Sequence, residues 1–121
     1  MSRRLFLDDL RVPTDCLEYM LKNKEIYSEE WDIVRSYKDF VSYVVKNGVP
    51  DVVSFDHDLA DELDKKEKTG CDCAKWLCEY CLENNIPLPE YIVHSMNPIG
   101  SENILSVFKT CEKMMKKMGI N

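Results

Sequence analysis

Short apolar runs that each end on a polar cluster, separated by helix-period stretches, most constrain how this chain folds. Leu5-Phe6-Leu7 closes on Asp8-Asp9, and Val52-Val53-Ser54-Phe55 closes on Asp56-His57-Asp58. Tyr91-Ile92-Val93 closes on His94-Ser95-Met96-Asn97. A continuous apolar run this short suits a strand buried on both faces, as in a parallel sheet. Trp31 to Tyr37 alternates and is rich in β-branched and aromatic residues, so it reads as a further strand, at an edge.

Helical stretches fall between these runs. Leu17, Met20 and Leu21 read as a helix capped by Thr14 or Asp15. Phe40, Val41, Val44 and Val45 fall at helical spacing, and Asn47-Gly48 stops them. Cys71 to Leu82 reads as a helix with Ala74, Leu77, Cys78 and Cys81 inward, and Pro98 and Gly100 precede a last helix bearing Ile104, Leu105, Val107 and Phe108. A β-α unit repeated about four times implies an α/β fold. The expected form is flavodoxin-like or receiver-like: three layers, α/β/α, around a mostly parallel sheet of about four strands, with helices on both faces. Residues 1–121 read as one domain, with 60–69 a charged mobile loop and 116–121 a frayed end.

Composition narrows the class. Asp and Glu number 22 against 16 Lys and Arg, a net charge of -6. That excludes broad binding along a nucleic-acid backbone or an anionic membrane, which calls for a basic footprint. It leaves open a single phosphate held through a cation. No apolar run approaches the roughly 18 residues of a membrane span, and the first one stops at Asp8-Asp9, too early for an export signal. The expected location is the cytoplasm, with the six cysteines reduced.

In parallel sheets, ligands bind beyond the carboxyl ends of the strands, near the point where strand order reverses. The polar clusters stand there. If the first and third strands are neighbours, Asp8, Asp9 and Asp56 converge. Converging carboxylates repel unless one holds a proton or a cation neutralises them. Mg²⁺ or Mn²⁺, with oxygen ligands from carboxylates and a substrate phosphate, fits that requirement. A strand-end Asp also serves as a helix cap, but three polar strand ends with an acidic doublet point to a site. Both histidines, His57 and His94, lie at strand ends beside carboxylates, which suits general acid–base work or phosphate contacts; a ring satisfied by backbone is the structural alternative.

The segment Met96 to Asn103 carries Gly, Pro and small polar residues at a helix start. Backbone N–H groups near Gly100, with Ser95, Asn97 and Ser101, would meet phosphate oxygens; an ordinary turn capped by Ser101 explains the same residues. Arg11 follows the acidic pair and would contact a phosphate or pair with an Asp, while Lys75 reads as part of a solvated helix face. Cys78-x-x-Cys81 resembles half a zinc site. No second pair follows at zinc-ribbon spacing, and a continuous helix turns Cys73 away from Cys71, Cys78 and Cys81, so these read as small buried hydrophobes.

Four blocks together resemble the cyclic-phosphate-processing receiver-like family. They are Leu7-Asp8-Asp9-x-Arg11-x-Pro13, Val53-Ser54-Phe55-Asp56-His57-Asp58-Leu59, Gly70-Cys71-Asp72-Cys73-Ala74-Lys75-Trp76-Leu77 and Val93-His94-Ser95-x-Asn97-Pro98-x-Gly100-x-x-Asn103-Ile104. The similarity runs from about Leu5 to Phe108. Leu10 stands where the family often has an acidic residue. The family is related to signalling receivers. The resemblance implies that Asp8 and Asp9 match the receiver's metal-binding pair, Asp56 its phospho-accepting aspartate and Ser95 its hydroxyl residue. A receiver's fifth strand and the lysine at its end are not visible, and Lys109 lies inside the last helical pattern.

The expected function is therefore a metal-dependent phosphoesterase acting on a cyclic phosphate of a nucleotide or RNA end. Asp8, Asp9 and Asp56 hold the metal in this reading. Asp56, His57 and His94 are catalytic, and Arg11, Asp58, Ser95, Asn97, Gly100, Ser101 and Asn103 bind substrate. The alternatives are a phospho-accepting or non-catalytic receiver-like module, and a nucleotide sensor without turnover.

Overall fold

The computed structural model describes residues 3–20, 24–59 and 68–120. Four strands, β1 (Arg4–Leu7), β2 (Asp32–Val34), β3 (Val52–Phe55) and β4 (Glu90–Val93), form one sheet in the order β2-β1-β3-β4. Every neighbouring pair is parallel. This is the parallel flavodoxin-like arrangement the apolar runs imply. The inner strands β1 and β3 are buried almost throughout, and the edge strand β2 exposes Asp32 and Ile33.

Strand alternation divides the core into two layers. Leu5 and Leu7 of β1 and Val53 and Phe55 of β3 face a cluster built with α1 (Tyr37–Asn47), α2 (Gly70–Asn84) and α3 (Pro98–Met118). Phe6, Val52 and Ile92 face the opposite side, where they meet Cys16 and Tyr27.

That second layer is not the expected helix. Between β1 and β2 the described residues make two 3₁₀ helices, Pro13–Glu18 and Lys24–Ser28. Pro13 and Cys16 are buried and Tyr19 is half-buried, a period of three that matches three residues per turn. Asp15 caps from inside the turn: its carboxylate accepts the Val12 N–H at 2.9 Å. Leu21 lies outside the described residues.

The three α-helices among the described residues carry clear local signals. Ser36 caps α1 by accepting the Asp39 N–H at 3.1 Å. Thr69 and Asp72 form a reciprocal capping box at the start of α2. On α2 the buried stripe is Gly70, Cys73, Ala74, Leu77, Cys78 and Cys81, so Cys73 faces the core and Cys71 sits at its margin, the reverse of the expected arrangement. α3 continues to Met118, and Gly119, in the left-handed region at φ +76°, ends it, so residues 116–118 of the segment expected to fray are helical. Of the expected 60–69 loop, residues 60–67 lie outside the described residues. No strand follows β4 among the described residues, and none of the helices there is long and apolar enough to cross a membrane.

Candidate functional site

Register creates the site. Leu7 pairs with Phe55, and Phe55 with Val93. The next residues on three adjacent strands are Asp8, Asp56 and His94. The ladder holds them: Asp56 N–H donates to Leu7 O at 2.9 Å and His94 N–H to Phe55 O at 3.0 Å. An oxygen of each aspartate and a ring nitrogen of His94 lie within 4.8 Å of one another.

Asp8 is the most tightly held group. It is only 1% exposed. Its Oδ1 accepts the Leu10 and Arg11 N–H groups, both at 2.9 Å. Its Oδ2 lies 3.0 Å from His94 Nε2 and 3.6 Å from an Arg11 guanidinium nitrogen. Burial pushes the Asp8 carboxyl up, but the His94 ring and the two backbone N–H groups outweigh it and hold it at about 2. Asp56 shares the burial without that support. Burial first, and then the Asp8 charge, raise it to about 6, against the lowering effects of the His57 N–H and Arg11.

His94 does not reach the mouth, contrary to the sequence expectation. It is fully buried and stacks on Phe6 at 4.3 Å. Its Nδ1 lies 2.6 Å from Ser54 Oγ, and that hydroxyl lies 2.7 Å from Tyr27 Oη. Burial lowers the tendency of the ring to protonate, against Asp8, so it is neutral and carries one N–H. Ionised Asp8 can only accept, so Nε2–H donates to Asp8 and Nδ1 accepts from Ser54, whose oxygen accepts from Tyr27. A chain of donors thus runs Tyr27, Ser54, His94, Asp8. With both nitrogens engaged, His94 orients Asp8 and cannot ligate through Nε2 without breaking that bond.

The pocket above this floor is lined by Asp8, Asp9, Leu10, Arg11, Asp56, Asp58, Ser95, Met96 and Asn97. Seven of the expected site residues therefore line one cavity: Asp8, Asp9, Arg11, Asp56, Asp58, Ser95 and Asn97. His57 stands beside it, half-buried, with Nδ1 3.1 Å from Asp58 Oδ1. The Arg11 guanidinium lies over the Tyr19 ring at 5.3 Å and reaches Met96 Sδ at 3.2 Å.

The segment after β4 departs from the expected phosphate cradle. The N-cap of α3 is Asn97, not Ser101, and its Oδ1 accepts the Gly100 N–H at 3.0 Å. Gly100 is buried against His57, where an added Cβ would come within 2.3 Å of the ring. Its N–H is therefore not available to an anion. Ser101 Oγ donates to Ser95 O at 3.4 Å, and Asn103 is exposed on α3, outside the pocket lining. The Asn97 amide also donates to Asp58 at 3.3 Å, tying the β3 and β4 loops together.

Sequence reasoning missed three supporting residues. Arg35 donates to Asp8 O at 3.2 Å and Arg11 O at 2.6 Å, bracing the loop after β1. Tyr19 Oη donates to His94 O at 2.7 Å. Ser54 was the legible one: a hydroxyl inside an otherwise apolar buried strand needs a partner.

The donor set fits a hard divalent cation. Two carboxylates lie close together, one held ionised, the other raised by burial and then by repulsion from the first, and Asp9 lines the same mouth. The thiols make no comparable group: the one cluster of three or more ligating residues among the described ones is Asp8, Asp56 and His94. Burial pushes the Cys78, Cys81 and Cys111 thiols up, as expected for small core residues.

Comparison with known proteins gives a family and a fold. The model of the cyclic-phosphate processing receiver domain family matches residues 3–110. Among solved structures, a yeast Spc42 trimeric coiled-coil segment fused to another structure is 18% identical, with a TM-score of 0.52, over 97% of this chain and 76% of that one. The Mn²⁺-bound form of the response regulator Rcp1 is 14% identical, with a TM-score of 0.50, over 95% of this chain and 92% of that one. At such identities these likenesses show the fold alone. No curated protein matches the chain.

Proposed function

The chain belongs to the cyclic-phosphate processing receiver domain family, and from that premise we propose a metal-dependent phosphoesterase acting on a cyclic phosphate of a nucleotide or RNA end. The observation that carries the proposal is the Asp8–Asp56 pair at adjacent strand ends, with Asp56 raised to about 6 by burial and by Asp8. Asp8, Asp9 and Asp56 would hold Mg²⁺ or Mn²⁺, which when bound supplies Lewis-acid polarisation of a phosphoryl oxygen. Arg11 places one guanidinium at the mouth for a charge-assisted contact to phosphate, and the Ser95 hydroxyl lines the opposite loop. His57, oriented by Asp58, is the histidine near the mouth and the candidate for moving a proton to or from a ribose oxygen. His94 acts through Asp8 as a positioning residue. Cytoplasmic residence, with the thiols reduced, belongs to the same proposal.

The test is incubation of the purified protein with 2′,3′-cyclic nucleotides and divalent cations. The expected result is metal-dependent opening to a monoester, lost in Asp56→Ala and reduced in His57→Ala. Absence of turnover in the wild type contradicts the enzyme reading, and calorimetric binding without turnover then supports a nucleotide sensor. A second reading is a phospho-accepting receiver-like module, favoured by the likeness of the fold to a response regulator and by Asp56 at the end of β3. It predicts a stable phosphoryl adduct on Asp56 after treatment with acetyl phosphate and Mg²⁺, read by intact mass.

A further inference from the structure

Two exposed apolar side chains stand at the lip of the acidic pocket, and the chemistry above leaves them without a role. Leu10 is 81% exposed and Met96 is 65% exposed, yet both line the same cavity as Asp8, Asp56 and Arg11. Val12 and Ile99, also exposed, follow in the same two chain segments but do not line the cavity. The remaining exposed large apolar residues among the described ones lie elsewhere: Ile33 on β2, Val45 on α1, Met114 and Met118 on α3. Single exposed apolar side chains are ordinary, but here two of them flank one polar mouth. Arg11 joins the two segments, with one guanidinium nitrogen 3.2 Å from Met96 Sδ and another 3.6 Å from Asp8 Oδ2. The lip is thereby held at the rim of the charged floor.

We propose that Leu10 and Met96 form a subsite for the base of a nucleoside cyclic phosphate whose phosphate sits at Asp8, Asp56 and Arg11. The inference rests on the proposed function and names the part of the substrate that lies outside the reacting centre. A cavity of about 320 Å³ suits a mononucleotide-sized ligand. Its polar floor receives the charged end, and its lip receives a flat apolar face. A protein partner covering the lip would desolvate the carboxylates below without satisfying them, which is costly. Neither side chain offers a strong donor or acceptor. Recognition is therefore by buried area and not by base edges, and the flexible thioether of Met96 adapts to more than one base.

Initial-rate kinetics in the presence of Mg²⁺ tests this through the KM of three probes: adenosine 2′,3′-cyclic phosphate, uridine 2′,3′-cyclic phosphate and the base-free glycerol 1,2-cyclic phosphate. The adenosine probe is expected to have a KM about tenfold lower than the glycerol probe, equivalent to about 1.4 kcal/mol, with uridine between them. In Leu10→Asn/Met96→Gln that ratio falls close to one, whereas Val45→Asn, on α1, keeps it near ten. A ratio near one in the wild type, or one that persists in the double variant, overturns the subsite and leaves the proposed function standing. If the wild type turns over none of the three probes, the proposed function fails and the subsite fails with it. A change in oligomeric state that depends on Leu10 and Met96, with the ratio unaltered, makes the lip a protein interface and also overturns the subsite.

Discussion

Asp8 and Asp56 are the same residue type at equivalent places on neighbouring strands, yet their carboxyls sit at about 2 and about 6. The difference is the donor set behind Asp8. His94→Leu removes one of those donors and leaves a buried carboxylate short of a partner, at a cost of about 3 kcal/mol. His94→Gln keeps an N–H for Asp8 and is expected to recover much of that loss; urea unfolding of the two variants checks it, and equal losses would refute the donor chain. The Asp56 proton makes a separate prediction. Asp56 holds its proton more tightly when folded, near 6, than at its ordinary 3.8. Its effect on stability is therefore most favourable below about 4 and worsens as pH rises to about 6, by up to about 3 kcal/mol. Asp8 runs the other way, stabilising above 3.8 and losing that contribution as pH falls toward 2. Asp56→Asn, without added metal, should therefore unfold at a higher temperature than wild type at pH 7.5, and the gap should close by pH 4. The aspartates were legible in the sequence because a strand end announces itself by the change from apolar to acidic. The position of His94 was not, because the residues that seal it, Phe6, Tyr27 and Ser54, come from distant parts of the chain.

At the level of elements, α2 is seated directly on the end of β3. A Cβ on Gly70 would lie 1.7 Å from the Asp56 carbonyl oxygen, so no side chain fits between the helix start and the site. Gly70→Ala is expected to cost upward of about 3 kcal/mol, in the range reserved for such clashes. Gly119→Ala, where the space is open and only the positive φ is strained, should cost about 1 kcal/mol; equal Tm shifts for the two variants would contradict the seating of α2. The strands, α2 and α3 followed from apolar runs, caps and 3.6-residue spacing. The layer over Phe6 did not, because Pro13, Cys16 and Tyr19 repeat every third residue, and a short segment with that spacing resembles a helix until its hydrogen bonds are known. Gly100 misled for a related reason. Its sequence context marks a helix start, but Asn97 caps that start and His57 fills the space.

For the whole molecule, strand order decides where chemistry gathers. With β1 and β3 central and parallel, their acidic ends meet at the carboxyl end of the sheet, and the loops after β1, β3 and β4 close around them. On the proposed function the net charge of -6 has a local meaning: the site would take one phosphate with a cation and would repel a long polyanion. An RNA oligomer ending in a 2′,3′-cyclic phosphate should bind no more tightly than the mononucleotide, and lowering the salt should not strengthen it. The phosphorus NMR spectrum of adenosine 2′,3′-cyclic phosphate incubated with the protein and Mg²⁺ tests the phosphoesterase function most directly. The cyclic resonance should give way to a phosphomonoester only when Mg²⁺ is present, and should persist with Asp56→Ala. A cyclic ester that survives the wild-type protein, or one opened equally well by the variant, would contradict it.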